Sequence, residues 1–347
     1  MGNMTYNVND TATQVLAAKQ VKENIFMGLL HRNGKGVTQQ TETNVTTMRM
    51  MKVLPTEASA REVGAVTNGK FFNAEAAEFS QVIEYDLNLL YLYDKMYDIP
   101  EVQEDLCPVN IFDETTKNIG GRVSTEINAS TLAAQLLEKF NAAVTAKKWE
   151  DEAVTVSKDG KCYDAIQDAG TLLDDGDEKN GIQSFPFAER QVIIRPTFRK
   201  QLLSEKGVIV GGSNYAQSML AHGGISPDAR KEWGEMYVGE IDDMPVYLAP
   251  KAIWNRASQW VSDGKTTFDN VEGVVCAASA TDRGISTPDY IKIIDSPDGP
   301  GKRLQPKTRW GINVCYPKGI IPILKNGTAV PTSALTLTAP GSRAKST

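Results

Sequence analysis

Histidine is almost absent from this chain of 347 residues, which contains only His31 and His222. Two histidines are too few for a multi-histidine zinc site or a histidine relay, so many common kinds of active site are excluded. The cysteines are Cys107, Cys162, Cys276 and Cys315. Because they lie far apart and form no CxxC pair, they indicate reduced thiols that fill the core of an intracellular protein.

Long apolar runs and an excess of basic residues are also missing. The sequence contains no stretch of about 18 apolar residues that could cross a membrane. Its first ten residues lack the basic and apolar regions of a signal peptide. Lys and Arg number 37 against 43 Asp and Glu, which gives a formal net charge of -6. We therefore expect a protein assembled in the cytoplasm, with no membrane partner and no sequence-specific grip on nucleic acid.

Catalytic motifs are missing as well, since GxSxG, HExxH, Walker and dinucleotide-binding patterns do not occur. The glycine-rich stretch 208–215 could cradle an anion, but it is more typical of a turn followed by a capping serine. His222 could act as a base with Ser213 or Asp228. A soluble hydrolase built on His222 therefore stays open as an alternative function.

Two acidic features are candidates for chemistry. Asp242 and Asp243 could form an acid-base dyad, but adjacent strand residues point to opposite faces, so a turn is the better interpretation. The stretch 174–180 could hold calcium, yet it lacks the spacing and the terminal Glu of an EF-hand loop. We predict that the chain has no catalytic, cofactor-binding or metal-binding residues.

What the sequence does contain is a long hairpin. The stretches 43–54 and 79–93 have the residue pattern of strands, and the stretch between them, 55–78, is typical of a broad tip. An amphipathic helix over 9–30 precedes them. Since a two-stranded hairpin is marginal alone in water, it needs a surface to lie on, either its own domain or a neighbouring subunit.

Further along the chain, helices and strands alternate. The longest predicted helix covers 124–149, after Gly120 and Gly121. Residues 150–180 hold ten acidic residues against three lysines, which is typical of a solvated insertion. A strand then leads into a helix that starts at Pro196. Further strands are predicted at 236–248, 271–280, 290–294 and 309–316, and a loose tail begins at 325.

Three short motifs complete the pattern: PFAERQVIIRP at 186–196, GEIDDMPVYLAP at 239–250 and RWGINVCYPKGI at 309–320. Together with the order arm, hairpin and long helix, they resemble the tailed-phage major capsid protein family, whose subunits share the Hong Kong 97 phage capsid fold. The resemblance extends over nearly the whole chain and depends on the order of the motifs. Asp243 departs from it, because the family commonly has Gly at that turn.

The resemblance implies an α+β fold in six parts. These are an N-terminal arm (1–36), an extended loop (37–93), a peripheral domain (94–187) with an acidic insertion (150–180), an axial domain (188–285), peripheral strands (286–325) and a C-terminal tail (326–347).

It also implies a function without catalysis: self-assembly, through pentamers and hexamers, into an icosahedral virion shell that encloses phage double-stranded DNA. A separate scaffolding protein, a portal and a possible decoration protein are the expected partners. Lys52 or Lys70 could lie in the loop, but no motif supports a crosslink through either. An encapsulin-like nanocompartment, which has the same fold and encloses enzyme cargo, stays open as an alternative.

Overall fold

The computed structural model describes residues 10–24, 47–53, 82–88, 90–93, 97–100, 111–149, 152–157, 161–178, 182–205, 236–261, 268–285, 291–297, 299–338 and 340. The helices are α1 (Asp10–Asn24), α2 (Ile111–Ala146), α3 (Cys162–Asp174), α4 (Pro196–Ser204) and α5 (Lys251–Gln259). The strands are β1 (Thr47–Val53), β2 (Val82–Asn88), β3 (Leu90–Tyr93), β4 (Tyr97–Pro100), β5 (Val154–Thr155), β6 (Arg190–Ile194), β7 (Tyr237–Ile241), β8 (Met244–Leu248), β9 (Val271–Ala277), β10 (Thr281–Ile285), β11 (Ile291–Asp295), β12 (Gly301–Val314) and β13 (Ile320–Leu324). This content confirms the expected α+β class.

A six-stranded mixed sheet forms the most deeply buried layer, in the order β5-β13-β9-β6-β8-β7. Every residue of β6, β9 and β13 is buried, and apart from Arg190, Gln191 and Glu272 these strands are apolar, without the polar alternation of a half-exposed sheet. Strand β13 lies between β5 and β9, so the expected peripheral range 286–325 is divided between two sheets.

A second sheet is organised around β12, the longest strand. On one side β12 pairs with β3 and then β4, and on the other side it pairs with β10 and then β11. Helix α2 packs against this sheet, where the indole Nε1 of Trp310 donates a hydrogen bond to Ser130 Oγ at 3.0 Å.

Helix α2, which we call the spine helix, is the longest predicted helix of the sequence, and it is longer than predicted. It begins at Ile111 rather than Ser124 and passes through Gly120 and Gly121 without a break. The glycines looked like a boundary, but a Cβ built on Gly120 would lie 3.0 Å from Gln20 Cβ of α1. Gly120 therefore lets α1 approach closely. At the other end the helix stops at Ala146, and Lys147 adopts a left-handed φ of 57°.

The interpretation of 150–180 as a solvated insertion is wrong for the described part of that stretch. Strand β5 joins the six-stranded sheet, and α3 packs on that sheet through an apolar face. The residues of α3 buried there are Cys162, Ala165, Ile166, Ala169, Gly170 and Leu173. The acidic residues occupy the opposite, exposed face, which explains why composition alone suggested a solvated segment.

The tail is docked on the rest of the subunit at residues 335–338, so the expectation of a loose tail is wrong there. Leu335 is only 8% exposed, and both its backbone N–H and its carbonyl bond to the side chain of Asn141, each at 2.8 Å. Leu337 forms a bridge with Val261. The small polar composition after Lys325 hid this docking, because it depends on two leucines and on backbone groups.

No helix within the described ranges is long and apolar enough to span a membrane.

Candidate assembly surface

The β1–β2 hairpin is the feature that differs most from an ordinary closed domain. Thr47 pairs with Asn88, and the antiparallel register continues without a shift to the pair Val53 and Val82. At about 3.4 Å per residue, seven residues give a ribbon roughly 24 Å long. The expected tip, 55–78, lies outside the described residues. The two strands thus confirm the predicted hairpin.

The base of this hairpin is continuous with the second sheet. The chain pairs with β1 through β2, and from Leu90 onward it pairs with β12 through β3. Trp310 is the anchor residue, since it pairs with Leu90 on one side and with Ile285 on the other. Because its indole is also bonded to the spine helix, the hairpin starts from a fixed point.

Both outer edges of the ribbon are open in the part of the chain that the structure describes. Strands β1 and β2 pair only with each other there, as a two-stranded sheet. Such a ribbon presents a row of backbone donors and acceptors along each edge, and it buries little by itself. An open ribbon on a fixed base is suited to pairing with, or lying on, a second molecule.

Next to the base, exposed charges fix the position of β4 on β12. Arg303 donates from Nε and Nη2 to the two carboxylate oxygens of Asp98, at 2.5 and 2.6 Å. This hydrogen bond holds the pKa of Asp98 below its ordinary value. The bidentate geometry orients the sheet edge beside the hairpin.

Helix α1 provides a second candidate surface. It lies against α2 with Ala17 and Val21 fully buried, while Val15 on another face is 62% exposed. The close approach at Gly120 keeps this helix on the spine. The predicted arm helix is confirmed over Asp10–Asn24, and its expected continuation to residue 30 lies outside the described residues.

The six-stranded sheet supports these surfaces with buried charged groups that are satisfied inside the chain. Arg190 is 1% exposed and donates to the carbonyl of Phe185 from both Nε and Nη2, at 3.0 and 2.6 Å. It also donates to Asp174 Oδ1 at 2.5 Å, and its guanidinium lies 4.0 Å from the centre of the Phe187 ring. One side chain thus ties the end of α3 to the start of β6.

Arg195 joins β9 and α5 at the far end of β6 in a similar way. Its guanidinium donates to the carbonyls of Val271 and Phe268, at 2.5 and 2.6 Å, and lies 4.2 Å from the Trp254 ring centre. Burial lowers the pKa of Arg195, and the neighbouring acids Asp269 and Glu272 oppose this shift.

A buried lysine links the spine helix to the chain that follows it. Lys139 Nζ is fully buried and lies 2.8 Å from Glu152 Oε2. Burial lowers the pKa of this lysine, and the Glu152 carboxylate opposes the shift. Sequence reasoning missed Arg190 and Lys139, although the helical spacing of Lys139 from the apolar residues Leu136 and Ala143 was a visible signal.

The candidate catalytic residues are not brought together by the described structure. His31, Ser213, His222 and Asp228, as well as Lys70, lie outside the described residues, and Lys52 is described only as a backbone position in β1. Asp242 and Asp243 form the predicted turn between β7 and β8, with φ of 49° and 61°. Asp242 accepts a hydrogen bond from Tyr163 OH at 2.7 Å, which raises the pKa of Tyr163, already raised by burial, to about 12.

The candidate metal-binding residues and the cysteines take part in packing and hydrogen bonding within the subunit. Asp174 bonds to Arg190, and the backbone of Asp177 forms a bridge with Ile182, so the described part of that stretch, 174–178, is used in packing. No cluster of potential metal ligands occurs among the described residues. Cys162 and Cys276 are buried and form no disulfide, and burial raises the pKa of Cys276 to about 12.

No family model matches the sequence, and no curated protein matches it. Solved structures do match. The capsid of Ralstonia phage GP4 aligns over 88% of this chain and 89% of its own, with 9% identity and a TM-score of 0.53. A structure from Microbacterium phage Oxtober96 aligns over 85% of this chain and 93% of its own, with 12% identity and a TM-score of 0.50. The chain has the Hong Kong 97 phage capsid fold.

By residue range, α1 lies in the expected arm (1–36), β1 and β2 lie in the expected extended loop (37–93), and α2 lies in the expected peripheral domain (94–187). A looser alignment, with a TM-score of 0.44, joins 90% of this chain to 98% of a virus-like particle from Pyrococcus furiosus, at 10% identity.

Proposed function

We propose that the chain is a major capsid protein that assembles, through pentamers and hexamers, into the icosahedral shell of a phage virion. The observation that carries the proposal is the open β1–β2 ribbon on a fixed base, in a chain with the capsid fold. The work of such a protein is done by surfaces. We accordingly propose that it is not an enzyme.

The ribbon makes the contact between subunits. Its open edges offer backbone hydrogen bonds to a neighbour, and a surface that the neighbour provides stabilises strands that are marginal alone. The arm helix adds an exposed apolar position, Val15, to the contact region. The hydrogen bond from Trp310 to the spine helix keeps the base of the ribbon in one orientation while neighbours bind.

The shell encloses double-stranded DNA without reading its sequence. A formal net charge of -6 suits a container wall, because a strongly basic lining would hold phosphates and impede packaging. The further partners we propose are a separate scaffolding protein and a portal, with a decoration protein as an optional addition, and assembly takes place in the host cytoplasm. The division into peripheral parts (94–187 and 286–325) and an axial part (188–285) belongs to the same proposal.

The test is expression with and without the phage scaffolding protein, followed by negative-stain electron microscopy. We expect capsomers or closed shells. Monodisperse monomers under every condition would contradict the proposal. His222→Ala is the control for the hydrolase alternative, since it should leave particle formation intact, and loss of a measurable turnover in that variant would favour the enzyme.

A further inference from the structure

The end of the tail lies in a defined groove. We call residues 335–338 the strap, and Asn141, Trp260 and Val261 the strap groove. The Asn141 carboxamide donates to the Leu335 carbonyl and accepts from the Leu335 N–H, both at 2.8 Å. Leu337 bridges Val261, and the Thr338 N–H donates to the Trp260 carbonyl at 2.9 Å. The last contact satisfies a carbonyl at the end of α5.

The groove recognises an extended segment mainly through its backbone. These three hydrogen bonds all use main-chain groups of the strap. Leu335 and Leu337 alternate with the exposed Thr336 and pack toward the core. This is the arrangement of peptide-binding sites in which main-chain bonds supply affinity and alternate side chains supply specificity. The matching sequence is Leu-x-Leu.

A linker, residues 329–334, joins the strap to the rest of the subunit. Thr328 still bonds to the Lys325 carbonyl, but residues 329–334 make no hydrogen bond in the described structure. Most of this linker is exposed. Six extended residues span about 20 Å, so the strap can leave its own groove and reach another at that distance.

We propose that the strap groove is a binding site for an extended Leu-x-Leu segment, and that in the assembled protein it is filled by the strap of a second copy. An identical segment makes identical contacts in either groove, so exchange between copies has a low cost in free energy. The neighbour needed for exchange comes from the shell proposed above, whereas the groove itself depends only on the contacts just described.

The first experiment uses a synthetic peptide of residues 331–340, PTSALTLTAP, with a fluorescent label. In the full-length chain the tethered strap competes at high effective concentration, so the peptide should bind weakly. Leu335→Asp places a charge where an apolar side chain is buried and releases the strap. Fluorescence anisotropy should show at least tenfold tighter peptide binding to Leu335→Asp than to the unmodified chain.

Matched variants separate recognition from misfolding. Adding Asn141→Ala to Leu335→Asp should lower peptide affinity at least tenfold, and Asn141→Asp, whose second oxygen would face the Leu335 carbonyl, should lower it at least as much. Thr338→Pro removes one strap N–H and should also open the groove, with a smaller effect than Leu335→Asp. A peptide carrying Leu335→Asp should not bind. The proposal that the groove binds this segment is overturned if the peptide binds equally to the unmodified chain, to Leu335→Asp and to Thr338→Pro. It is also overturned if the peptide binds to neither variant.

The second experiment mixes two full-length variants at a concentration below that for shell formation. The Leu335→Asp chain keeps an intact groove, and the Asn141→Ala chain keeps an intact strap. Native mass spectrometry should show a 1:1 heterodimer in the mixture and in neither sample alone. Peptide binding without the heterodimer overturns docking in trans. If shells form from the same variants at a higher concentration while no exchange is detected, this inference is overturned and the proposed function stands.

Discussion

The six-stranded sheet and the β1–β2 ribbon differ in where the hydrogen-bonding groups of their strands find partners. In the sheet, strands such as β6 and β9 lie between neighbours, and even its buried cations have partners from the same chain. In the ribbon, two strands have one neighbour each within the described residues. The sheet therefore contributes to the stability of the subunit, whereas the open edges of the ribbon leave backbone donors and acceptors for hydrogen bonds with other molecules.

This difference predicts where substitutions act. We call the two larger sheets and α2 the frame. Changes in the frame should lower the free energy of unfolding, and changes in the ribbon should leave that quantity almost unchanged while abolishing association. Four substitutions test the frame and the arm, from the largest expected effect to the smallest.

Arg190→Ala should be the most damaging. It leaves the Phe185 carbonyl and Asp174 without the hydrogen bonds that a buried guanidinium supplies, and it opens a cavity. We expect a loss of about 3–5 kcal/mol in the free energy of unfolding, measured by urea titration. Lys117→Ala, which breaks an exposed pair with Glu114, is the control and should have no measurable effect. Equal effects of the two would show that Arg190 does not secure the frame.

Lys139→Ala should cost about 2–4 kcal/mol, because it leaves the Glu152 carboxylate without its buried partner. Lys139→Met fills the same volume without a charge, but it also leaves Glu152 without its partner, so it should lose nearly as much stability. Thermal and urea unfolding of both variants test this expectation. A loss confined to Lys139→Ala would mean that packing of the side chain, and not its charge, matters at this position.

The same lysine predicts a pH dependence. Since its folded pKa lies below the ordinary 10.5, the unfolded chain binds more protons between those two values. The unmodified chain should therefore gain stability relative to Lys139→Met as the pH rises through the lowered pKa toward 10.5. Unfolding free energies of both chains across this alkaline window measure the effect, and a gain on lowering the pH would have the wrong sign.

Gly120→Leu should release the arm and leave the frame folded. Its side chain would collide with Gln20, so we expect a loss of about 1–3 kcal/mol and faster hydrogen exchange confined to α1. Gly121→Ala is a matched control, because a Cβ there meets nothing within 4 Å. It should stabilise the helix by about 0.5–1 kcal/mol. If hydrogen exchange in α1 of Gly120→Leu is as slow as in the unmodified chain, the close approach of α1 to Gly120 is contradicted.

Asp243→Gly should have the smallest effect, a gain of up to about 1 kcal/mol, because it relieves a left-handed φ of 61°. Asp242→Gly relieves a similar backbone conformation but loses the bond from Tyr163, so it should gain less. Chemical unfolding compares the two. A larger gain from Asp242→Gly would mean that the Tyr163 contact contributes nothing.

Local patterns predicted the arm helix, the hairpin strands, the Pro196 helix and the turn at Asp242 and Asp243. Each of these depends on neighbouring residues, whose periodicity or turn chemistry is visible in the sequence. The resemblance supplied the order of the parts. Helix α3 was missed because ten acids dominated the composition of its stretch, although its apolar face has helical spacing.

Long-range contacts could not be predicted. Gly120 looks like a helix breaker until α1 is known to lie 100 residues away in sequence but in contact with it. The tail looked loose because the partner of Leu335 is Asn141, on a helix nearly two hundred positions earlier. Candidate assembly surfaces are harder still, since the signal of an open edge is the lack of a neighbouring strand in the same chain.

The most direct measurement compares proline substitutions in the ribbon by electron microscopy and urea unfolding. Adjacent N–H groups of a strand point to opposite edges, so Met50→Pro and Met51→Pro together remove one bond toward β2 and one donor on the open edge. Ser333→Pro, in the unbonded tail linker, is the control. We predict subunits of nearly unchanged stability that form no shells for both ribbon variants, and normal shells for the control. Normal shells from both ribbon variants would contradict the central claim.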